Sequence, residues 1–257
     1  GAEGEIRARV YRPAGTAAGA GLPIILYLHG GLWVTGDLEA YRATPRALAE
    51  RCHAVVVAAH CRQAPEHRFP AAHQDALAAW SWTILNAEAL GGDPRRAAIA
   101  GEDAGGNMAI DIARFCVAGK VPGRPRHLAL VSPIAAAGVT LPSHIENMAA
   151  RPLSTADLRW AYGLLLPEHA DIDDPRLNPS ERLDLTGLPP VTLILAGACP
   201  LRSEGEALAD SLRRCGVWVD LTVYDGVTWG FFGLARVVNK AMFALGQVVR
   251  NLNEALR

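Results

Sequence analysis

Short aliphatic runs alternate with longer amphipathic stretches along almost the whole chain, and this alternation constrains the fold more than any other feature. The runs cover residues 6–11, 23–28, 54–59, 97–100, 128–131, 191–196 and 217–224. Each is rich in Val, Ile, Leu or Ala and is bounded by Gly, Pro or charge, as buried strands are. The stretches between them, 41–51, 71–88, 104–118, 203–214 and 234–256, carry helical periodicity. Strands separated by helices imply βαβ units and a mostly parallel central sheet with helices on both faces, an α/β fold. At 257 residues, half of them apolar, the chain is read as a single domain spanning 1–257. Residues 138–188 depart from the alternation, holding one helical stretch at 155–166 followed by turns. An insertion of that kind between two strands is expected to be a lid over a pocket.

Charge and cysteine content remove several classes. Lys and Arg number 25 and Asp and Glu 26, a net charge of −1, which does not suit a strongly basic nucleic-acid binder. No apolar run is long enough for a membrane span, and the start Gly1-Ala2-Glu3-Gly4-Glu5 has no signal-peptide pattern. The five cysteines are odd in number and lack a CxxC pair, so reduced thiols, a cytoplasmic location and neither metal nor cofactor are expected.

Two glycine-rich turns follow strands. His29-Gly30-Gly31-Leu32-Trp33 comes after the run at 23–28. Gly101-Glu102-Asp103-Ala104-Gly105-Gly106-Asn107 comes after 97–100 and opens a helical stretch. A strand, a tight turn and a helix with small residues flanking one side chain form the layout of a nucleophile elbow. The N–H after the elbow residue, here Ala104, and those of a facing Gly-Gly loop, here Gly30 and Gly31, can form an oxyanion hole.

With these motifs, the chain resembles the hormone-sensitive-lipase-like, carboxylesterase-like branch of the α/β-hydrolase fold family. The likeness runs from about Arg9 onward through Arg62-Gln63-Ala64-Pro65-Glu66-His67, Leu201-Arg202-Ser203-Glu204-Gly205 and Gly226-Val227-Thr228-Trp229-Gly230-Phe231. The resemblance implies a serine where Asp103 stands, an acid where Cys199 stands and a histidine where Trp229 stands. It also implies a substrate pocket that includes His29, Trp33, Cys199, Trp229 and Phe231, and an N-terminal helical cap that many family members carry ahead of the first strand.

Indole donates a proton but does not accept one near neutral pH, and a thiol is a poor orienting anion, so the usual acyl-transfer relay is not expected. Asp103 is the expected catalytic group, as an acid, base or polarising group. Its plainest alternative is a helix N-cap, and a carboxylate nucleophile, as in dehalogenase-type members of the fold, is another. His60 is the remote stand-in for a base, with His144 and His169 of the lid behind it. The favoured expectation is a non-hydrolytic cyclase, isomerase or lyase of specialised metabolism, acting on an apolar carbonyl-containing small molecule. The alternatives are a receptor-like binding protein and an unconventional ester hydrolase. An apolar small molecule is the expected partner, with neither nucleic acid nor membrane. The C-terminal stretch is read as packing on the sheet, with a homodimer contact as the alternative.

Overall fold

A computed structural model describes residues 1–16, 19–167 and 172–257. Its sheet has seven strands: β1 (Arg7–Tyr11), β2 (Leu22–Leu28), β3 (Val55–His60), β4 (Gly92–Glu102), β5 (Leu128–Val131), β6 (Val191–Ala198) and β7 (Val219–Thr228). They lie in the order β1-β3-β2-β4-β5-β6-β7. Only β1 runs antiparallel to its neighbour; every other pairing is parallel. All of β2 is buried, which is why Leu22–Leu28 reads as a continuous apolar run rather than an alternating one. This is the α/β-hydrolase architecture, with helices on both faces.

The helices are α1 (Ala43–Cys52), α2 (Ala71–Leu85), α3 (Ala104–Val117), α4 (Pro142–Glu146), α5 (Thr155–Leu165), α6 (Pro179–Arg182), α7 (Arg202–Arg214) and α8 (Asn239–Ala255). α1 packs with α8, α2 with α3, and α7 on β6. Among the described residues no helix is long and apolar enough to cross a membrane.

β4 and β7 run furthest past their expected bounds. β4 starts at Gly92 and passes through Asp93-Pro94, because Gly92 pairs with Leu22 before a register shift brings Ala97 against Ile24. β7 continues to Thr228, which pairs with Ala198 beyond another register shift. That last pair carries the chain to Cys199 and Trp229, which directly follow it at the carboxyl edge of the sheet, the edge where Asp103 follows β4. The helical stretch expected from 234 is instead a 3-10 turn, Phe231–Leu234, followed by α8.

The segment at 138–188 contains α4, α5 and α6. α5 opens with a reciprocal cap. The Asp157 N–H donates to Ser154 Oγ at 3.2 Å and the Ser154 N–H to Asp157 Oδ2 at 2.8 Å. α4 is held to α7 through Ser143, whose N–H donates to Ser203 Oγ and whose Oγ accepts from the Ser203 N–H.

Candidate active site

The turn from β4 into α3 works only with small residues at fixed places. A Cβ on Gly101 would lie 2.4 Å from the Gly105 carbonyl oxygen, and one on Gly105 2.1 Å from that of Leu28. A Cβ on Gly106 would meet Pro133 Cβ at 2.9 Å. The glycines therefore let the first turn of α3 press against the ends of β2 and β4, leaving Asp103 at the apex. Asp103 has φ 53° and ψ −115°, a conformation that costs a non-glycine residue about 1–3 kcal/mol.

The carboxylate offsets that strain with backbone donors from two loops. Oδ1 accepts from the Ala104 N–H. Oδ2 accepts from the N–H groups of Gly31 at 2.9 Å and Leu32 at 3.3 Å. An ordinary N-cap side chain bonds the second or third N–H of its helix. Asp103 bonds the first and reaches across to a different loop, so capping alone does not describe it. Gly31 and Ala104 are where the sequence expects donors, whereas the remaining N–H comes from Leu32 and not from Gly30. The requirement at Gly30 is space: a Cβ there would stand 3.0 Å from both Asp103 Cβ and Tyr41 Oη. The facing loop is turned inward by positive φ at Gly31, Leu32 and Trp33, with the Gly31 carbonyl accepting from the Val34 and Thr35 N–H groups.

Asp103 is 1% exposed. Burial pushes its carboxyl up to about 7, against the downward pull of the Gly31, Ala104 and Leu32 N–H groups and the Trp229 side chain. The neighbouring Glu102 is buried and accepts from Tyr27 Oη at 2.6 Å and Thr44 Oγ1 at 2.8 Å, which ties β4 to β2 and α1.

The residues expected around Asp103 take distinct places. Cys199 is fully buried and its thiol is pushed up to about 12 by burial, so it is a neutral, apolar group. Trp229 is half-buried after β7, and Phe231 is buried against Tyr224 and Phe232. Trp33 is buried and stacks on His73 at 5.8 Å. His29 Nδ1 lies 2.6 Å from the Gly30 carbonyl oxygen and its Nε2 lies 2.9 Å from His60 Nδ1. A carbonyl only accepts, so His29 carries its proton on Nδ1 and receives one from His60 at Nε2. His60 is therefore engaged through Nδ1 with His29, which holds the Gly30 loop, and among the described residues it makes no hydrogen bond to Asp103. His144 is engaged as well: Nδ1 accepts from the Leu141 N–H at 3.1 Å, and Nε2 donates to Glu204 Oε1 at 2.9 Å. Glu204 Oε2 in turn accepts from the Ala135 and Ala136 N–H groups at 2.8 and 2.9 Å. His169 lies outside the described residues.

A cavity of about 150 Å³ lies beside α4 and α5, with apolar walls from Ile145, Met148, Leu158 and Ile172 and polar groups from His144, Glu204 and Tyr162. Among the described residues the buried Tyr162 hydroxyl has no hydrogen-bond partner, and its ionisation is held far up by burial and by the charges of Glu204 and Asp103. Neither Tyr162 nor the Leu32 N–H is marked by a sequence motif.

A family sequence profile described as alpha/beta hydrolase fold matches residues 25–233. The chain belongs to that family. Within it, the likeness to esterases places the chain in the hormone-sensitive-lipase-like branch. It is 37% identical over 257 residues to "Carboxylesterase NlhH" of Mycobacterium tuberculosis, covering 98% of this chain and 79% of that protein. It is 34% identical over 248 residues to "Ethyl acetate hydrolase" of Pseudomonas putida, covering 96% and 78%. Among solved structures, the esterase of Pyrobaculum calidifontis superposes with a TM-score of 0.92 at 34% identity, covering 99% of this chain and 83% of that one. These relatives, named for ester hydrolysis and matching nearly all of this α/β-hydrolase chain, overturn the expected cyclase, isomerase or lyase of specialised metabolism. They equally correct the expectation of an enzyme set apart from conventional hydrolases.

Proposed function

We propose that this α/β-hydrolase hydrolyses short carboxylic esters at the turn around Asp103. The observation that carries the reading is the meeting of the Gly31, Leu32 and Ala104 N–H groups on one carboxylate at the apex of the elbow. Donors so placed suit the oxygen of a tetrahedral intermediate, and the esterase names of the relatives support that use. The 150 Å³ cavity beside α4 and α5 suits a short apolar group.

In the resting site the Asp103 carboxylate occupies the donors itself. An entering ester carbonyl takes over the Gly31 and Leu32 N–H groups, and the carboxylate loses the bonds that held its pKa down. It becomes a stronger base as the substrate seats. Asp103 then removes a proton from water while the water oxygen attacks the ester carbonyl carbon. The N–H pair stabilises the negative oxygen that forms. Collapse breaks the bond to the alkoxy oxygen, and the Asp103 carboxylic acid returns its proton to the leaving alkoxide. One ester and one water give one acid and one alcohol, with Asp103 unchanged.

The test is hydrolysis of 4-nitrophenyl acetate and butyrate by the wild type and by Asp103→Asn across neutral pH. The wild type is expected to exceed the buffer blank, with kcat/KM rising through about pH 7 as the carboxylate ionises. Asp103→Asn is expected to lose about 10²- to 10⁴-fold. A wild type at the blank rate overturns the reading. Rapid quench of a single turnover with peptide mass analysis tests the base role separately, because a nucleophilic carboxylate would carry the acyl group as a mixed anhydride on Asp103 and a base would not.

A further inference from the structure

A groove of about 880 Å³ opens between Tyr11 at the end of β1, helix α1, the turn at 232–236 and the start of α8. Five guanidinium groups line it, from Arg9, Arg42, Arg46, Arg51 and Arg236. Two carboxylates answer them. Glu39 pairs with Arg9 at 3.0 Å and with Arg42 at 2.5 Å, and Glu50 pairs with Arg46 at 3.0 Å. Arg51 and Arg236 have no carboxylate partner among the described residues. In a chain of net charge −1, this is a local concentration of positive charge rather than general basicity.

The arrangement works against the protein's own stability. Arg42 and Arg46 stand one helical turn apart, the spacing at which like charges repel. The first turn of α1 has no acidic side chain to meet the helix dipole. Between the arginines the groove has an apolar floor of Phe232 and Leu245, both buried, with Met242 exposed at its side. Guanidinium forks match phosphate oxygens in pairs, and the groove is of the size that encloses small molecules.

We propose that this groove binds a small organic phosphate, with its phosphate held by the arginines and its apolar body resting on Phe232 and Leu245. The site is independent of the ester-hydrolase reading. Its concavity and volume favour a discrete soluble molecule over a bilayer surface.

Calorimetric titration with octyl phosphate below its micelle-forming concentration tests the proposal. Octyl glucoside tests the tail without the charge, and inorganic pyrophosphate the charge without the tail. Octyl phosphate is expected to bind at one site per chain, more tightly than either comparison compound, and less tightly as salt is raised. Arg51→Gln with Arg236→Gln is expected to weaken binding at least about ten-fold. Neither side chain has an acidic partner to orphan, so thermal stability without ligand should be preserved. The corresponding double lysine variant should recover part of the affinity. Absence of saturable binding overturns the proposal, as does equal affinity in the glutamine variant. Capture by anionic phosphatidylglycerol vesicles without binding of octyl phosphate also overturns it, in favour of a membrane surface.

Discussion

Asp103 Oδ2 accepts the Gly31 N–H at 2.9 Å, joining two turns that follow different strands of the sheet. The bond fills with a side chain of the protein the place where an ester oxygen would otherwise be stabilised. The resting site is thus both built and occupied, and the occupant is a carboxylate that burial has brought to about 7. In the proposed reaction, substrate binding and the basicity of Asp103 are coupled through the same N–H groups.

That pKa has a consequence for stability. An unfolded aspartate titrates near about 4, whereas Asp103 in the folded chain titrates at about 7. Between these values the native state holds a proton that the unfolded state has released, so stability falls as pH rises through the window and levels off above it. Asp103→Asn has no such titration. Its melting temperature, relative to wild type, is expected to rise between pH 5 and pH 8; a difference that stays flat would contradict the burial-raised carboxyl.

The glycines of the chain divide into those the fold requires and those it does not. Gly105→Ala would put a methyl carbon 2.1 Å from the Leu28 carbonyl oxygen, and a loss of about 2–4 kcal/mol is expected. Gly163, exposed in α5 with nothing within 4 Å of its Cβ position, is the contrasting case. Gly163→Ala should stabilise by about 0.5–1 kcal/mol through helix propensity. Paired thermal melts separate the two.

Most of this architecture was legible because it rests on local patterns. The apolar runs at β2, β3 and β5 and the glycines around Asp103 each mark their structure within a few residues. The start of β4 was not legible, because Gly92-Asp93-Pro94 reads as a break until Gly92 meets Leu22 across the sheet. α4 and α6, with 5 and 4 residues, are too short for a helical period to show. Backbone donors carry no side-chain signature, so Leu32 was indistinguishable from its neighbours. The pairing of His60 with His29 and of His144 with Glu204 depends on the tertiary fold, which engages these two of the three expected stand-in bases. The identities of residues 103, 199 and 229 pointed away from hydrolysis. The likeness of nearly the whole chain to named esterases points back to it.

Burial separates the thiols sharply. Cys52, Cys61, Cys116 and Cys199 are buried, while Cys215 is partly exposed at the end of α7. Reactivity requires an accessible thiolate, and burial pushes Cys52, Cys61 and Cys199 up to about 12 and Cys116 to about 11. Under native conditions an aromatic disulfide reagent should label Cys215 first and the other four only on unfolding. Rapid native labelling of Cys199, read by peptide mapping, would show that the site at the end of β6 opens.

The packing of α4 against α7 depends on a tautomer. His144 accepts from the Leu141 N–H and donates to Glu204 Oε1, while Glu204 Oε2 holds the Ala135 and Ala136 N–H groups. Glu204→Gln keeps the size and one carbonyl oxygen but replaces the other oxygen with an amide NH₂. With the oxygen on Ala135 and Ala136, the amide meets the His144 Nε2–H donor to donor. If the ring shifts its proton to Nδ1, that proton meets the Leu141 N–H instead. Every arrangement leaves a buried polar group without a partner, at a cost of about 1–3 kcal/mol. Because α4 is fastened to α7 through this contact, the loss should concentrate around α4. Limited proteolysis is expected to cut between 138 and 167 faster in Glu204→Gln than in wild type, while cleavage of the sheet core stays slow. Equal cleavage rates between 138 and 167 would show that the Ser143–Ser203 bonds and the Arg202–Glu146 pair suffice to fasten α4 to α7.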